Sequence, residues 1–247
     1  MNITRLNWAG IRISDNVTAI AIDPVFKMNE ELFGKPKVER ISISTCGTVD
    51  AVFVTHLHSD HFDPDEIRHA YGAHVPTYVP KSSVESARNC GLTAVFGVEA
   101  GESVSVGGLQ ITATDAVDGL GDPQCSWVVT DGNTTIFHGG DTLWHGYWWS
   151  IAAKYGPFDA VFLPVNGAIV EEPGLTPSGQ PICMTPEQAI AASAVLQTKM
   201  LVPIHFQDFH NPPVYNETED CTTRLNVAAR IKNVPLALYR SGETFVI

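Results

Sequence analysis

The chain has 247 residues, 44% hydrophobic and 17% charged, enough apolar material for one large folded unit and too little charge for a disordered chain. Its 27 acidic residues outnumber 15 basic ones, for a formal net charge of -12, and no basic tract interrupts that balance. A footprint for a long nucleic acid is not expected, because such binders concentrate Lys and Arg on one face. The opening Met1-Asn2-Ile3-Thr4-Arg5-Leu6 lacks a charged start followed by a long apolar core, and no later segment holds about eighteen consecutive apolar residues. A cytoplasmic chain that does not engage a membrane is the expectation, folded as a single domain over 1–247. Its five cysteines, Cys46, Cys90, Cys125, Cys183 and Cys221, are scattered without a C-x-x-C pair and read as reduced bystanders.

In chain order, strand-like and helix-like stretches alternate without a linker or an internal repeat. Apolar runs near 3–13 and 17–22 come first, the second closing on Asp23 and Pro24. A third run near 51–55 leads into a histidine-rich loop. Behind that loop, Asp63 has the features of an N-cap, Pro64 of a first helical residue and Glu66 of the partner that closes a capping box. The pattern predicts a helix near 64–70, a strand near 75–79 and a helix near 82–89. Strand-like runs near 103–114, 126–138 and 160–165 follow, each bounded by turn-forming residues. The Pro-, Gly-, Ser- and Thr-rich stretch 171–186 predicts a long loop of the kind that lines sites. Thr185-Pro186-Glu187-Gln188 repeats the capping arrangement and opens a predicted helix near 186–197 that packs tightly on a sheet. A strand near 200–205, a helix near 218–231 and a strand near 235–247 complete the chain.

The chemistry concentrates at Thr55-His56-Leu57-His58-Ser59-Asp60-His61. Three imidazoles and a carboxylate on a strand-to-helix loop are a poor fit to a core strand and a good fit to a metal site, since neutral imidazole and carboxylate are the usual nitrogen and oxygen ligands of zinc-like ions. The segment resembles the signature of the metallo-β-lactamase superfamily. The strand ending in Asp23, the run Thr135-Ile136-Phe137-His138-Gly139-Gly140-Asp141 and the run Leu201-Val202-Pro203-Ile204-His205 resemble further parts of that family in the same order, over essentially the whole chain.

The resemblance implies an α+β fold, a four-layer αββα sandwich with the metal site at one edge of its two β-sheets. It implies His56, His58, Asp60, His61, Asp141 and His205 as metal ligands, with Asp141 bridging and Asp23 bracing the histidine loop without binding metal. Where the family supplies a third histidine to the first metal, this chain has Asp118. Either Asp118 completes the site, or it only shapes the turn Asp118-Gly119-Leu120-Gly121-Asp122. As a ligand it would bring two divalent ions, three aspartates and one hydroxide to a formal charge of about zero, where a histidine would leave about +1. Such a site suits harder ions such as manganese or iron. The implied cofactor is one or two divalent ions, zinc foremost, with manganese or iron as alternatives.

Asp60 and His145 are candidate catalytic groups, Asp60 orienting the nucleophile and His145 donating to the leaving group, and Asn166 is a candidate donor at a strand end. His138, His69 and His74 read as structural, whereas His210 lies near the metal edge. The aromatic run Trp144, Tyr147, Trp148 and Trp149 reads as core packing, with a pocket wall or an oligomer interface as the other options. The expected activity is metal-dependent hydrolysis of a small ester, lactone or related molecule, and the chain resembles most the branch that contains ascorbate-6-phosphate lactonase. A nuclease or phosphodiesterase acting on small phosphodiesters is the alternative, and a non-catalytic metal-binding protein is a third. Redox relatives carry an added flavin module, for which this chain has no residues to spare. The expected partner is a small-molecule substrate, with a homo-oligomer left open.

Overall fold

The computed structural model describes residues 1–15 and 17–247. Among these residues, short apolar runs make thirteen strands that pair into two main sheets. The first contains β1 (Asn2–Arg5), β2 (Ile11–Ser14), β3 (Ala19–Ile22), β4 (Ala51–Phe53), β5 (Thr77–Pro80) and β6 (Val95–Val98), in that order. The second contains β7 (Ser103–Val106), β8 (Leu109–Asp115), β9 (Cys125–Thr130), β10 (Thr135–His138) and β11 (Ala160–Pro164). A separate two-stranded ribbon pairs β12 (Ile169–Val170) with β14 (Tyr215–Asn216), whereas β13 (Leu201–Ile204) extends the second sheet beside β11. The C-terminal β15 (Thr244–Val246) joins the first sheet beside β1.

Period-two alternation then dictates the layers. Phe53 of β4 packs with Ile20, Ile22, Trp127 and Phe162 between the sheets, while its neighbour Val52 turns outward to Phe62 and Ile67. The outward face of the first sheet is covered by α2 (Pro64–Tyr71) and α3 (Val84–Asn89). On the second sheet Phe162 of β11 points inward, and Val161 and Leu163 point outward. They meet α4 (Trp148–Tyr155), α5 (Pro186–Val195) and α6 (Cys221–Lys232) through Trp148, Ile190 and Leu225. The result is the expected αββα sandwich, with one short helix, α1 (Glu30–Phe33), on the loop after β3. Among the described residues no helix is long and apolar enough to cross a membrane.

Strand direction positions the site. β3, β4 and β5 run parallel, as do β10, β11 and β13. In both sheets, chemistry-bearing residues sit just past the carboxyl ends of these strands: Asp23 after β3, the histidine segment after β4, Asp141 after β10, Asn166 after β11 and His205 after β13. This is where open parallel sheets generally place ligands. Gly140 supplies the turn before Asp141: its φ is +67°, and a Cβ there would lie 2.9 Å from the Thr55 hydroxyl oxygen.

Several elements depart from the sequence expectation. The runs 3–13, 103–114 and 126–138 are each two antiparallel strands joined by a turn, and only Thr244–Val246 of 235–247 is strand. The side chain of Asp63 caps α2 by accepting from the Glu66 amide, but the Glu66 carboxylate accepts from the Ile43 amide and leaves the capping box open. At α5 both halves of the box form. The aromatic run splits, because it enters a helix: Trp148 is fully buried, whereas Tyr147 and Trp149 are 47% and 57% exposed.

Phe162 is wholly buried between the sheets, so Phe162→Ala should lower stability by about 3–5 kcal/mol through lost burial and the cavity left behind. Chemical denaturation should show a lower midpoint with an unchanged slope.

Candidate metal centre

Asp23 is the base of the site. Fully buried and in the left-handed region at φ +46°, it accepts from the Thr55 amide (2.8 Å), the Thr55 hydroxyl (2.7 Å) and Nδ1 of His61 (2.8 Å). With its proton committed to Asp23, the Thr55 hydroxyl oxygen accepts from Nδ1 of His56 at 3.1 Å. Both imidazoles are thereby held as Nδ1–H tautomers, and both turn an Nε2 lone pair toward the sheet edge. His205, at φ +58°, is anchored from behind in a similar way, its Nδ1 donating to Oδ1 of Asn166 at 3.2 Å, but its Nε2 carries a proton to Asp60. The Asn166 amide nitrogen donates to the Tyr215 hydroxyl at 2.7 Å, and its oxygen also receives the Cys183 thiol at 2.8 Å.

These side chains converge into two groups that share Asp141. His56, His58, Asp118 and Asp141 form one; Asp60, His61, Asp141 and His205 form the other. Within each group the candidate ligand atoms lie within 4.8 Å of one another. His56 Nε2 is 3.6 Å from Oδ1 of Asp141, and His205 Nε2 is 4.0 Å from its Oδ2. His56 Nε2, His61 Nε2, Asp118 Oδ2 and Asp141 Oδ1 are all buried without a hydrogen-bond partner. Buried polar atoms are ordinarily paired, so four orphans of ligand type divided between these two groups fit bound divalent cations.

Asp118 does two things with one carboxylate. Its Oδ1 accepts from the amides of Leu120 (2.7 Å) and Asp122 (3.0 Å), which is the turn-shaping use, while Oδ2 joins the first group. His58 is the most exposed of the group; its Nε2 bonds Asp122 at 2.8 Å, and its Nδ1 lies 3.7 Å from Asp118.

The charges in the cluster compensate one another. Burial alone would raise the Asp60 carboxyl, but His61 and a hydrogen bond from His205 at 3.0 Å hold it far below the usual carboxylate range. Burial raises Asp141, against the pull of His61 and His205, with Asp60 and Asp118 beside it adding to the rise. Burial works to lower His205, yet its bonds to Asp60 and the Cys183 region carry it up to about 10. His56, lacking such a partner, is pushed well below its ordinary value by burial and by His61 and His58.

Not every candidate reaches this centre. Asn166 is fully buried behind His205 and does not line the cavity above the cluster. His145 is also absent from that lining: its ring stacks on Trp148 at 4.1 Å, its Nδ1 accepts from the Tyr147 amide, and burial lowers it to about 4. His138 bonds the Ala9 carbonyl at 2.8 Å inside the fold, and His210 is exposed away from the cavity. Sequence reasoning missed Trp8, whose indole N–H donates to Oδ2 of Asp60 at 3.1 Å, and Tyr215, which lines the cavity. It also missed Leu32 and Phe33 of α1, which wall the cavity. None of these carries a local signal, because tertiary packing alone brings them to the site.

Residues 18–206 match the family described as the Beta-lactamase superfamily domain. A metal-dependent hydrolase from Thermococcus kodakarensis is 29% identical over 215 residues, covering 81% of this chain and 82% of that protein. Among solved structures, an isothiocyanate hydrolase from Delia radicum gut bacteria superposes with a TM-score of 0.81 at 22% identity, covering 100% of this chain and 99% of the other. CmlA, a diiron beta-hydroxylase from Streptomyces venezuelae, gives 0.78 at 15% identity, with 100% of this chain matching 54% of that one. Both likenesses concern the fold.

The bond from His205 to Asp60 requires a protonated imidazole, and a metal needs the neutral one. A raised histidine keeps its proton below its folded pKa, so metal affinity should climb as pH rises toward 10. Calorimetric zinc titration at pH 7 in two buffers of different ionisation heat should show release of about one proton or more per chain. No release would contradict the protonated His205. For Asp23→Asn, a carboxamide that no longer enforces the His61 tautomer, metal affinity should fall about 10- to 100-fold in chelator competition with the fold retained.

Proposed function

The chain belongs to the beta-lactamase superfamily, and on that premise we propose a metal-dependent hydrolase that holds two divalent ions with His56, His58, Asp118 and Asp141 on one side and Asp60, His61, Asp141 and His205 on the other. The observation that carries this reading is the set of four buried, unpartnered ligand atoms, His56 Nε2, His61 Nε2, Asp118 Oδ2 and Asp141 Oδ1, around a shared Asp141. Ions bound there would acidify a coordinated water and polarise a substrate carbonyl. Zinc is the first candidate. Three carboxylates among seven ligands make manganese and iron its competitors.

The protein's own groups set the geometry. Asp60, His58, Asp141 and His205 form the cavity floor, so an acyl group entering the cavity meets them directly. The Trp8 indole N–H fixes the Asp60 carboxylate, leaving it in place to orient the attacking group. Asn166 acts from behind, holding the His205 tautomer, and is a positioning residue in this reading. His145, neutral and packed on Trp148, serves the loop after Asp141.

The proposed substrate is a small ester, lactone or related carbonyl compound, with a small phosphodiester as the second reading. Acyl chemistry is favoured because, among the described residues, no Lys or Arg lines the cavity to hold a phosphoryl group.

Metal analysis of protein purified without chelators should find two ions per chain. Asp118→Ala should retain one, and Asp141→Ala should lose both ions along with at least about a hundredfold in ester hydrolysis while circular dichroism stays unchanged. Full metal content in the Asp141 variant would remove it from the bridging position. Turnover of bis(4-nitrophenyl) phosphate without hydrolysis of any ester or lactone would select the second reading.

A further inference from the structure

The walls above the metal cluster carry more information than the floor. The cavity has a volume of about 440 Å³, within the range of small-molecule sites. Leu32 and Phe33 reach it from α1, Val170 and Tyr215 from the two-stranded ribbon, and Leu120 and Leu175 from the flanking loops. Leu120 and Leu175 are 42% and 56% exposed, so the rim offers bare apolar surface that no part of the chain covers among the described residues. Away from the floor, the charged groups of the lining are Glu172 and Asp122, both acidic. Of the cations flanking α1 in sequence, Lys27 and Arg40 line a different hollow with Phe26 and Phe209, and Lys35 and Lys37 are exposed and outside the cavity lining.

An anionic tail would therefore enter a passage that, among the described residues, offers no Lys or Arg and carries the like charge of Glu172, with Asp122 already bonded to His58, on a chain whose net charge is already -12. The floor does not reverse this, since the three aspartates of the proposed centre offset most of the charge two ions would bring. An ammonium tail could approach Glu172, but would first have to leave water along the leucine rim.

We propose that the substrate is an uncharged molecule with an apolar body, seated between α1, the β12–β14 ribbon and the loop carrying Leu175. The inference rests on the hydrolase reading for its reaction and on the wall for its specificity. Phosphorylated and carboxylated substrates are on the wrong side of this selection, among them the sugar phosphate of the lactonase branch that the sequence resembles.

Three 4-nitrophenyl esters of similar length test it on the metal-loaded full chain: the butyrate, the hemisuccinate with a distal carboxylate, and the 4-aminobutyrate with a distal ammonium. The butyrate should have the highest kcat/KM, by at least about tenfold over either charged ester. Equal or faster turnover of the hemisuccinate or the aminobutyrate overturns the proposal. Leu175→Lys should move the ratio of hemisuccinate to butyrate upward by at least about fivefold, and an unchanged ratio would remove Leu175 from the substrate path. If metal-loaded protein cleaves none of the three, the hydrolase reading fails on these acyl substrates, and the wall is tested by binding instead. Ligand-observed NMR should then show 4-nitrophenyl propyl ether bound more tightly than its analogue with a terminal carboxylate. Equal or tighter binding of the carboxylate would overturn the specificity inference independently of any chemistry.

Discussion

The site depends on one buried carboxylate. Asp23 closes β3 and receives three hydrogen bonds, all from Thr55 and His61 at the two ends of the histidine segment. A carboxylate in a dry interior is costly unless its lone pairs are filled, and these bonds fill them while fixing the loop. Its left-handed backbone, shared by Trp8 and His205 at the same edge, costs on the order of 1–3 kcal/mol per residue. The surrounding sheets hold that strain, because Phe53, Ile22 and Trp127 beneath it have no room to relax.

Above this base, seven ionisable side chains crowd together, an arrangement that self-repulsion would scatter on a softer scaffold. Here His205 bonds Asp60 across the gap at 3.0 Å, and the uncharged His56 adds no repulsion where it faces Asp141 at 3.6 Å. Three of the four imidazoles are anchored from behind by different residues, Thr55 for His56, Asp23 for His61 and Asn166 for His205, whereas His58 bonds Asp122. Fixing the far nitrogen of these three rings settles which nitrogen faces the centre, so the orientation of these candidate ligands is set by packing.

Much of this was legible in the sequence because its signals are local. The histidine segment is contiguous, and the strand before it and the N-cap and proline behind it announce the loop that carries it. Asp141 and His205 could be placed through the family resemblance, since each ends a short apolar strand that matches it. The double role of Asp118 could not be read, since residue type does not say that one oxygen serves the turn and the other the cluster. Nor could α4, whose Trp148-Trp149 start is a weak helix former stabilised by burying Trp148 and Ile151 against the second sheet. Gly107-Gly108 did carry a hairpin signal inside the run 103–114, and it was hidden by the apolar pattern on both sides. The cavity walls were out of reach, because Leu32, Leu120 and Leu175 come from three separate loops or short helices.

The candidate donors come from both halves of the sandwich: His56, His58, Asp60 and His61 from the edge of the first sheet, Asp118, Asp141 and His205 from the edge of the second. Ions held among them would rivet the two sheets at the end where the inter-sheet core thins into loops. The cofactor would then be a fastener as well as a reagent, and its loss would be felt as a hinge: the seam would open at the site edge first, while the far edge stayed shut on its hydrocarbon core. Mechanical integrity and chemical competence would share the same few bonds, so the protein would be least closed when it is least able to act.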